Sequence, residues 1–85
     1  MRRFMYTIKV PVGMHARHAG LLVAETSQYQ SEVMISRGEK TANGKRILGL
    51  MGLGVKMGDV ITVTVDGPDE DDAAQRLKGF LFLNF

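Results

Sequence analysis

Over residues 3–10 the side chains Phe4, Tyr6, Ile8 and Val10 fall on one parity, while Met5, Thr7 and Lys9 fall on the other. A period of two is the mark of a strand with one buried face, and it predicts a strand over Arg3–Val10 stopped by Pro11 and Gly13. The pattern changes at Ala16. From there to Ser27 the chain is rich in Ala, Leu and Val without proline, and Ala16, Ala19, Val23 and Thr26 recur at helical spacing, which predicts a first helix. Alternation returns over Glu32–Ser36. Arg37-Gly38-Glu39 reads as a tight turn, Lys40–Ala42 as a short return strand, and Asn43-Gly44 as the turn that ends this hairpin. Arg46–Met51 is a short apolar stretch bounded by Gly52 and Gly54, enough for a turn or two of helix that only packing can hold. Ile61, Val63 and Val65 alternate with Thr62 and Thr64 in a strand over Asp59–Val65. Asp69–Asn84 opens with four acids, which suit the positive end of a helix, and continues with Ala73, Leu77 and Leu81 on one stripe.

The predicted order is βαββαβα. Strands that are apolar on one side only leave the other side wet, so the helices must all cover the same face. The fold class is α+β: an open-faced β-sandwich, a four-stranded antiparallel sheet with three helices on one face. No repeat, linker or low-complexity tract interrupts the pattern, so residues 1–85 read as a single domain. With 85 residues, 45% of them hydrophobic, and no cysteine, the stability of one small core must come from packing and not from disulfides. The six methionines read as gap fillers in that core, and Phe80, Phe82 and Phe85 as a cover for the open end of the sheet.

Eleven basic residues against nine acidic ones give a net charge of +2, too balanced for the basic stripe of a nucleic-acid binder. No apolar run approaches the ~20 residues of a membrane span. The alternating start MRRFMYTIKV also lacks the continuous apolar centre of a signal peptide. These features lead us to expect a cytoplasmic protein without membrane insertion or a nucleic-acid partner.

Both histidines lie in Gly13-Met14-His15-Ala16-Arg17-His18-Ala19, where a strand exit becomes a helix start. The first backbone N–H groups of a helix have no internal partner and its macrodipole is positive there, so an anion at that end meets ready donors. An imidazole with an ordinary pKa of about 6.5 is a usable nucleophile near neutrality. A histidine just ahead of the helix can therefore hold a phosphoryl group against the amides of Ala16, Arg17 and His18, with the planar Arg17 guanidinium beside it. Taken by spacing alone, the same residues fit a solvated loop histidine with an incidental arginine better. His15 and His18 lack a visible third ligand for a metal. Gly49-Leu50-Met51-Gly52 has the spacing of an RNA-binding GXXG loop but apolar middle residues. The acidic run Asp69–Asp72 lacks the ligand order and glycine of a calcium loop. No phosphate-cradling Gly-rich loop with lysine is present.

The segment GMHARHAG, followed in register by Lys45-Arg46-Ile47-Leu48-Gly49-Leu50-Met51-Gly52-Leu53-Gly54 and by Gly67-Pro68-Asp69-Glu70, resembles the HPr family. These are the histidine-containing phosphocarriers of the bacterial phosphoenolpyruvate-dependent sugar phosphotransferase system. The resemblance covers essentially the whole chain, and the family's βαββαβα sandwich agrees with the order predicted above. It implies that His15 accepts a phosphoryl group on Nδ1 from enzyme I and passes it to enzyme IIA domains, with Arg17 steadying the phosphate. It further implies a docking patch of Gly20, Leu21, Ala24, Ile47, Leu48 and Met51, with Leu50 and Leu53 in the core. The implied protein is a monomeric carrier without a cofactor, a metal or turnover of its own. Two other roles fit the same fold: a regulatory carrier acting on carbon or nitrogen control proteins, and a non-catalytic metal- or RNA-binding domain.

Two positions depart from the family's pattern. His18 stands where the family has proline, which loosens the first helical turn and adds a donor. Residues three apart on a helix are neighbours, so a protonated His18 is expected to stabilise phosphorylated His15 and make this chain a slower donor. Arg46 stands where many members carry a serine that caps the second helix and, in Gram-positive relatives, is phosphorylated by a regulatory kinase. With no hydroxyl, position 46 cannot serve as that switch. Arginine is also a poor N-cap, costing about 1 kcal/mol against serine unless Asn43 or a backbone turn compensates.

Overall fold

The computed structural model describes Met1 to Phe85. Its elements are β1 (Arg2–Thr7), α1 (Ala16–Thr26), β2 (Glu32–Arg37), β3 (Lys40–Asn43), α2 (Ile47–Gly52), β4 (Val60–Asp66) and α3 (Glu70–Asn84). The strands form one antiparallel sheet in the order β1-β4-β2-β3. Register follows the period-two pattern: Phe4, Val63, Ile35 and Ala42 share one row, while Arg3, Thr64, Met34 and Asn43 share a neighbouring row on the opposite face. The first row packs into or against the core beneath the helices, whereas Arg3, Met34 and Asn43 of the second are exposed. The α+β open-faced sandwich expected from patterning is the fold observed.

One cluster of 19 buried apolar residues forms the core, drawn from every element but β1 and from the loops around Ile8, Met14, Tyr29 and Val55, with Phe4 and Tyr6 of β1 packed against it. Leu22, Leu50, Ile61, Leu77 and Leu81 are fully buried, and burying each contributes about 1.5–3 kcal/mol. Thr26 is also fully buried, and its hydroxyl donates to the Gly44 carbonyl at 2.7 Å, with the Val23 carbonyl 3.3 Å away. It thereby ties the end of α1 to the turn that launches α2.

Several expectations need correction. The strand predicted to Val10 ends at Thr7, because the ladder to β4 ends at the Thr7–Val60 pair. Beyond it the backbone changes partners: Ile8 N–H donates to the Asp59 carbonyl at 2.8 Å, and Lys9 and Val10 both donate to the Phe85 carbonyl, at 2.6 and 2.8 Å. In α1 the buried stripe is Ala19, Leu22 and Thr26, with Val23 half-buried; Ala16 is exposed at the helix start. The short helix runs over Ile47–Gly52 with Arg46 as its cap residue, outside the helical turn. Of the methionines only Met14 is core; Met5 and Met34 lie on exposed sheet positions, and Met1, Met51 and Met57 are exposed elsewhere. Phe85 is buried and Phe80 packs against the core, but Phe82 is 73% exposed. Phe82 follows Leu81, so the helical turn of about 100° per residue swings it off the buried stripe. The Lys9 ammonium lies 5.9 Å from its ring centre.

Candidate functional site

The site loop is held from two sides. Gly13 has φ of +66°, and a Cβ there would lie 2.3 Å from the Val55 carbonyl oxygen, so only glycine lets the loop press onto that backbone. Met14 follows, 95% buried, its N–H donating to the same carbonyl at 3.1 Å. On the other side the Phe85 carbonyl takes the N–H groups of Lys9 and Val10. Between these anchors His15 emerges exposed as the cap residue of α1, with φ of −97° and ψ of 179°.

Capping is done by the imidazole itself. His15 Nδ1 accepts from Arg17 N–H at 3.3 Å, and the His15 carbonyl accepts from Ala19 N–H at 2.8 Å. The N–H groups of Ala16 and His18 find no acceptor within the chain. The nucleophilic lone pair of Nδ1 is thus directed at a helix end that still has donors to give. Arg17 is exposed and forms no ion pair, so its guanidinium is available beside that end. His15, Ala16, Arg17 and His18, singled out from sequence, are brought together here.

Behind them lies a feature that local pattern did not reveal. The His18 ring stands edge-on to His15, centroids 5.0 Å apart, and its other neighbour is the Phe85 ring at 5.4 Å. Phe85 in turn lies 6.2 Å from Phe80. Within this stack His18 Nδ1 is buried without a hydrogen-bond partner. Burial, then neighbouring His15 and Arg17, hold the His18 pKa below its ordinary value. The chain without a phosphoryl group therefore favours neutral His18, while the sequence expectation of a protonated His18 concerns the form with phosphorylated His15. Phe85 is 67 residues from His18 along the chain (85 − 18), and no local signal links them.

Around the histidine, α1 and α2 expose Leu21 at 43%, Ile47 at 41%, Leu48 at 84% and Met51 at 38%, while Leu50 and Leu53 are buried. Ala24 is exposed and Gly20 partly so. A shallow groove of about 440 Å³ runs between Val23 and the stretch from Lys45 to Gly49, which includes Arg46. The two other clefts are lined by Arg37, Lys40 and Asp59 and by Arg2, Arg3 and Asp71, among others; none of the three includes His15, Arg17 or His18. His15 therefore sits on open surface and not in a small-molecule pocket. No group of three or more His, Asp or Glu side chains is placed to hold a metal ion. No helix is long and apolar enough to cross a membrane.

A family model described as the PTS HPr component phosphorylation site matches residues 3–82. The phosphocarrier protein HPr of Mycoplasma genitalium is 40% identical over 85 residues, covering 99% of this chain and 97% of its own length. Among solved structures, HPr of Thermoanaerobacter tengcongensis superposes with a TM-score of 0.94 at 34% identity, over 100% of this chain and 96% of that one. Crh, a catabolite-repression protein of Bacillus subtilis solved as a domain-swapped, intertwined dimer, gives a TM-score of 0.78 at 32% identity, covering 93% of this chain and 91% of its own. With the sandwich, the family match and these relatives in agreement, the chain belongs to the HPr family, the phosphocarrier proteins of the phosphotransferase system.

Proposed function

We propose that this chain carries phosphoryl groups on His15 Nδ1, taking them from enzyme I and delivering them to enzyme IIA domains in sugar uptake. The observation that carries this reading is the placement of His15: an exposed imidazole capping α1 through Nδ1, beside unpartnered helix amides and a free arginine. In the transfer the Nδ1 lone pair attacks phosphorus, an N–P bond forms, and the donor's bond to phosphorus breaks with its electron pair returning to the donor. Arg17 N–H must release Nδ1 for this step. It then stands, with the amides of Ala16 and His18, where the new phosphoryl oxygens need donors, and the Arg17 guanidinium adds charge.

The exposed apolar residues Leu21, Ile47, Leu48 and Met51, with Gly20 and Ala24, form the docking surface for both partners. Apolar centres with charged rims suit interfaces that must form and part quickly. The chain works as one domain and as a monomer, in the cytoplasm where phosphoenolpyruvate is made, without a cofactor or metal and without turnover of its own. The likeness to Crh supports a second reading, a regulatory carrier. Arg46 weakens one form of it, since there is no hydroxyl for a serine kinase at that position.

Incubation with phosphoenolpyruvate and enzyme I, followed by intact mass and site mapping under conditions that preserve acid-labile phosphohistidine, tests the proposal. One phosphoryl group on His15, lost in His15→Ala, is the expected result. No label under conditions where a control carrier is labelled would leave a binding domain on the same fold as the better description.

A further inference from the structure

We propose that His18 is the proton-binding partner of phosphorylated His15: it is neutral in the free carrier and takes up a proton from solvent when His15 gains its phosphoryl group. The inference rests on the reading of His15 as acceptor and adds a second working residue to that site.

The His18 Nδ1 is buried with no hydrogen-bond partner. A charge placed on such a ring loses water and needs an anion in return. The groups that act electrostatically on the ring are His15 and Arg17, both on or capping its own helix, and Arg17 repels a second cation. From the end of α3 the apolar Phe85 ring packs against the His18 ring, while the Phe85 backbone oxygen accepts from Lys9 and Val10 N–H. No Asp or Glu side chain acts on His18, and it joins no ion pair. Burial and these neighbours together hold the His18 pKa below its ordinary value and so favour the neutral ring in the free form.

Phosphorylation changes one group in that environment. A group bearing up to two negative charges appears on a ring whose centroid is 5.0 Å from that of His18. An opposite charge within about 4–6 Å favours the charged form by roughly 1–3 pKa units. The N–P bond forms as the donor's bond to phosphorus breaks, a proton from solvent then forms an N–H bond on the His18 ring, and the product is a phosphoryl dianion beside an imidazolium.

The phosphorylated carrier binds one more proton than the free carrier between the two His18 titration midpoints, so in that window lower pH favours the phosphorylated form, by up to tenfold per pH unit. Above the upper midpoint His18 is neutral in both forms and the preference disappears. Below the lower midpoint it is charged in both and the dependence is flat. Acidification thus makes this carrier hold its phosphoryl group more tightly.

Site-resolved NMR titration of His18 in the free chain, and in the chain phosphorylated by phosphoenolpyruvate and enzyme I, measures both midpoints. A midpoint below the ordinary histidine value of about 6.5 in the free form, rising by at least one pH unit on phosphorylation, is expected. Phosphoryl exchange with a family member that has proline at this position supplies an independent readout, because titration of the phosphohistidine ring itself is common to both carriers. The exchange should tilt toward this chain as pH falls, and the tilt should vanish in His18→Asn and His18→Pro. A His18 midpoint that does not move, or an unchanged tilt in His18→Asn, overturns the coupling while leaving His15 as the acceptor. Site mapping of the same samples keeps the two proposals apart: a phosphoryl group absent from His15 ends the carrier reading, and the coupling with it.

Discussion

Asp69 stands at the head of α3, yet its carboxylate serves another segment. It accepts from the N–H groups of Gln30 and Ser31, each at 2.9 Å, and from the Ser31 hydroxyl. These bonds, the Ser31 hydroxyl foremost and then Gln30 N–H, hold its carboxyl below the ordinary value. Asp59 is held down in the same way, first by Lys56 N–H and then by Arg37, which reaches it at 2.7 Å. A carboxyl whose folded pKa lies below its unfolded value of about 3.9 contributes stability that is complete above about pH 5. That contribution is lost as pH falls through the folded value. Asp69→Asn should therefore unfold at lower urea concentration than the native chain at pH 7, with the two curves converging toward pH 2. Urea midpoints across that range check it, and parallel curves would remove Asp69 from this role. Sequence patterning placed this residue among acids complementing the helix dipole, which holds for Glu70, Asp71 and Asp72 in the first turn. A partner 38 residues away at Ser31 leaves no trace in local spacing. His15 and Arg17 were legible because their chemistry depends on a helix start, which local sequence does announce.

At the level of elements, α2 is the least self-sufficient. Its cap residue Arg46 makes no side-chain hydrogen bond to the helix. Asn43 partly compensates, as its side-chain carbonyl accepts from Lys45 N–H at 2.9 Å and its backbone carbonyl from Arg46 N–H at 3.1 Å. That secures the turn before the helix but not the helix's own first amides. Arg46→Ser should raise stability by about 1 kcal/mol, since serine can accept from those amides. Calorimetry should record a Tm higher by about 4–8 °C; a Tm that stays level or falls would mean that the Asn43 turn already suffices. The strands were the legible elements, because a sheet with one wet face imposes a period of two that survives any loop. Their ends were less so. Val10 continues the parity of β1, but its N–H goes to Phe85 and not to a strand, a choice made by the far end of the chain.

The whole molecule separates two kinds of apolar surface, and the separation can be measured. All helices cover one face of the sheet, so the site on α1 and the exposed residues of α2 share a side, while Met5 lies on an outward sheet position, 69% exposed. Leu48 is 84% exposed two residues before fully buried Leu50. A side chain so exposed adds almost nothing to folding, and an exposed substitution away from special features changes stability by about 0.5 kcal/mol or less. If the surface docks enzyme I, however, Leu48 goes from water into a protein contact, and a central apolar anchor truncated or charged there costs about 2 kcal/mol. At 1.4 kcal/mol per tenfold, Leu48→Asp should lower the kcat/KM of enzyme I for this chain by about tenfold or more, while its urea midpoint stays close to native. Met5→Asp introduces the same charge at similar exposure on the opposite face and should leave kcat/KM within about twofold, a change below 0.5 kcal/mol. Equal losses in the two variants would mean that the added charge acts at long range, through the weak overall field of a nearly balanced chain. No loss in Leu48→Asp would move the docking surface off α2 altogether. A loss confined to Leu48→Asp ties the exposed turn of α2 to the partner, and explains why a helix too short to stand alone keeps a leucine in water.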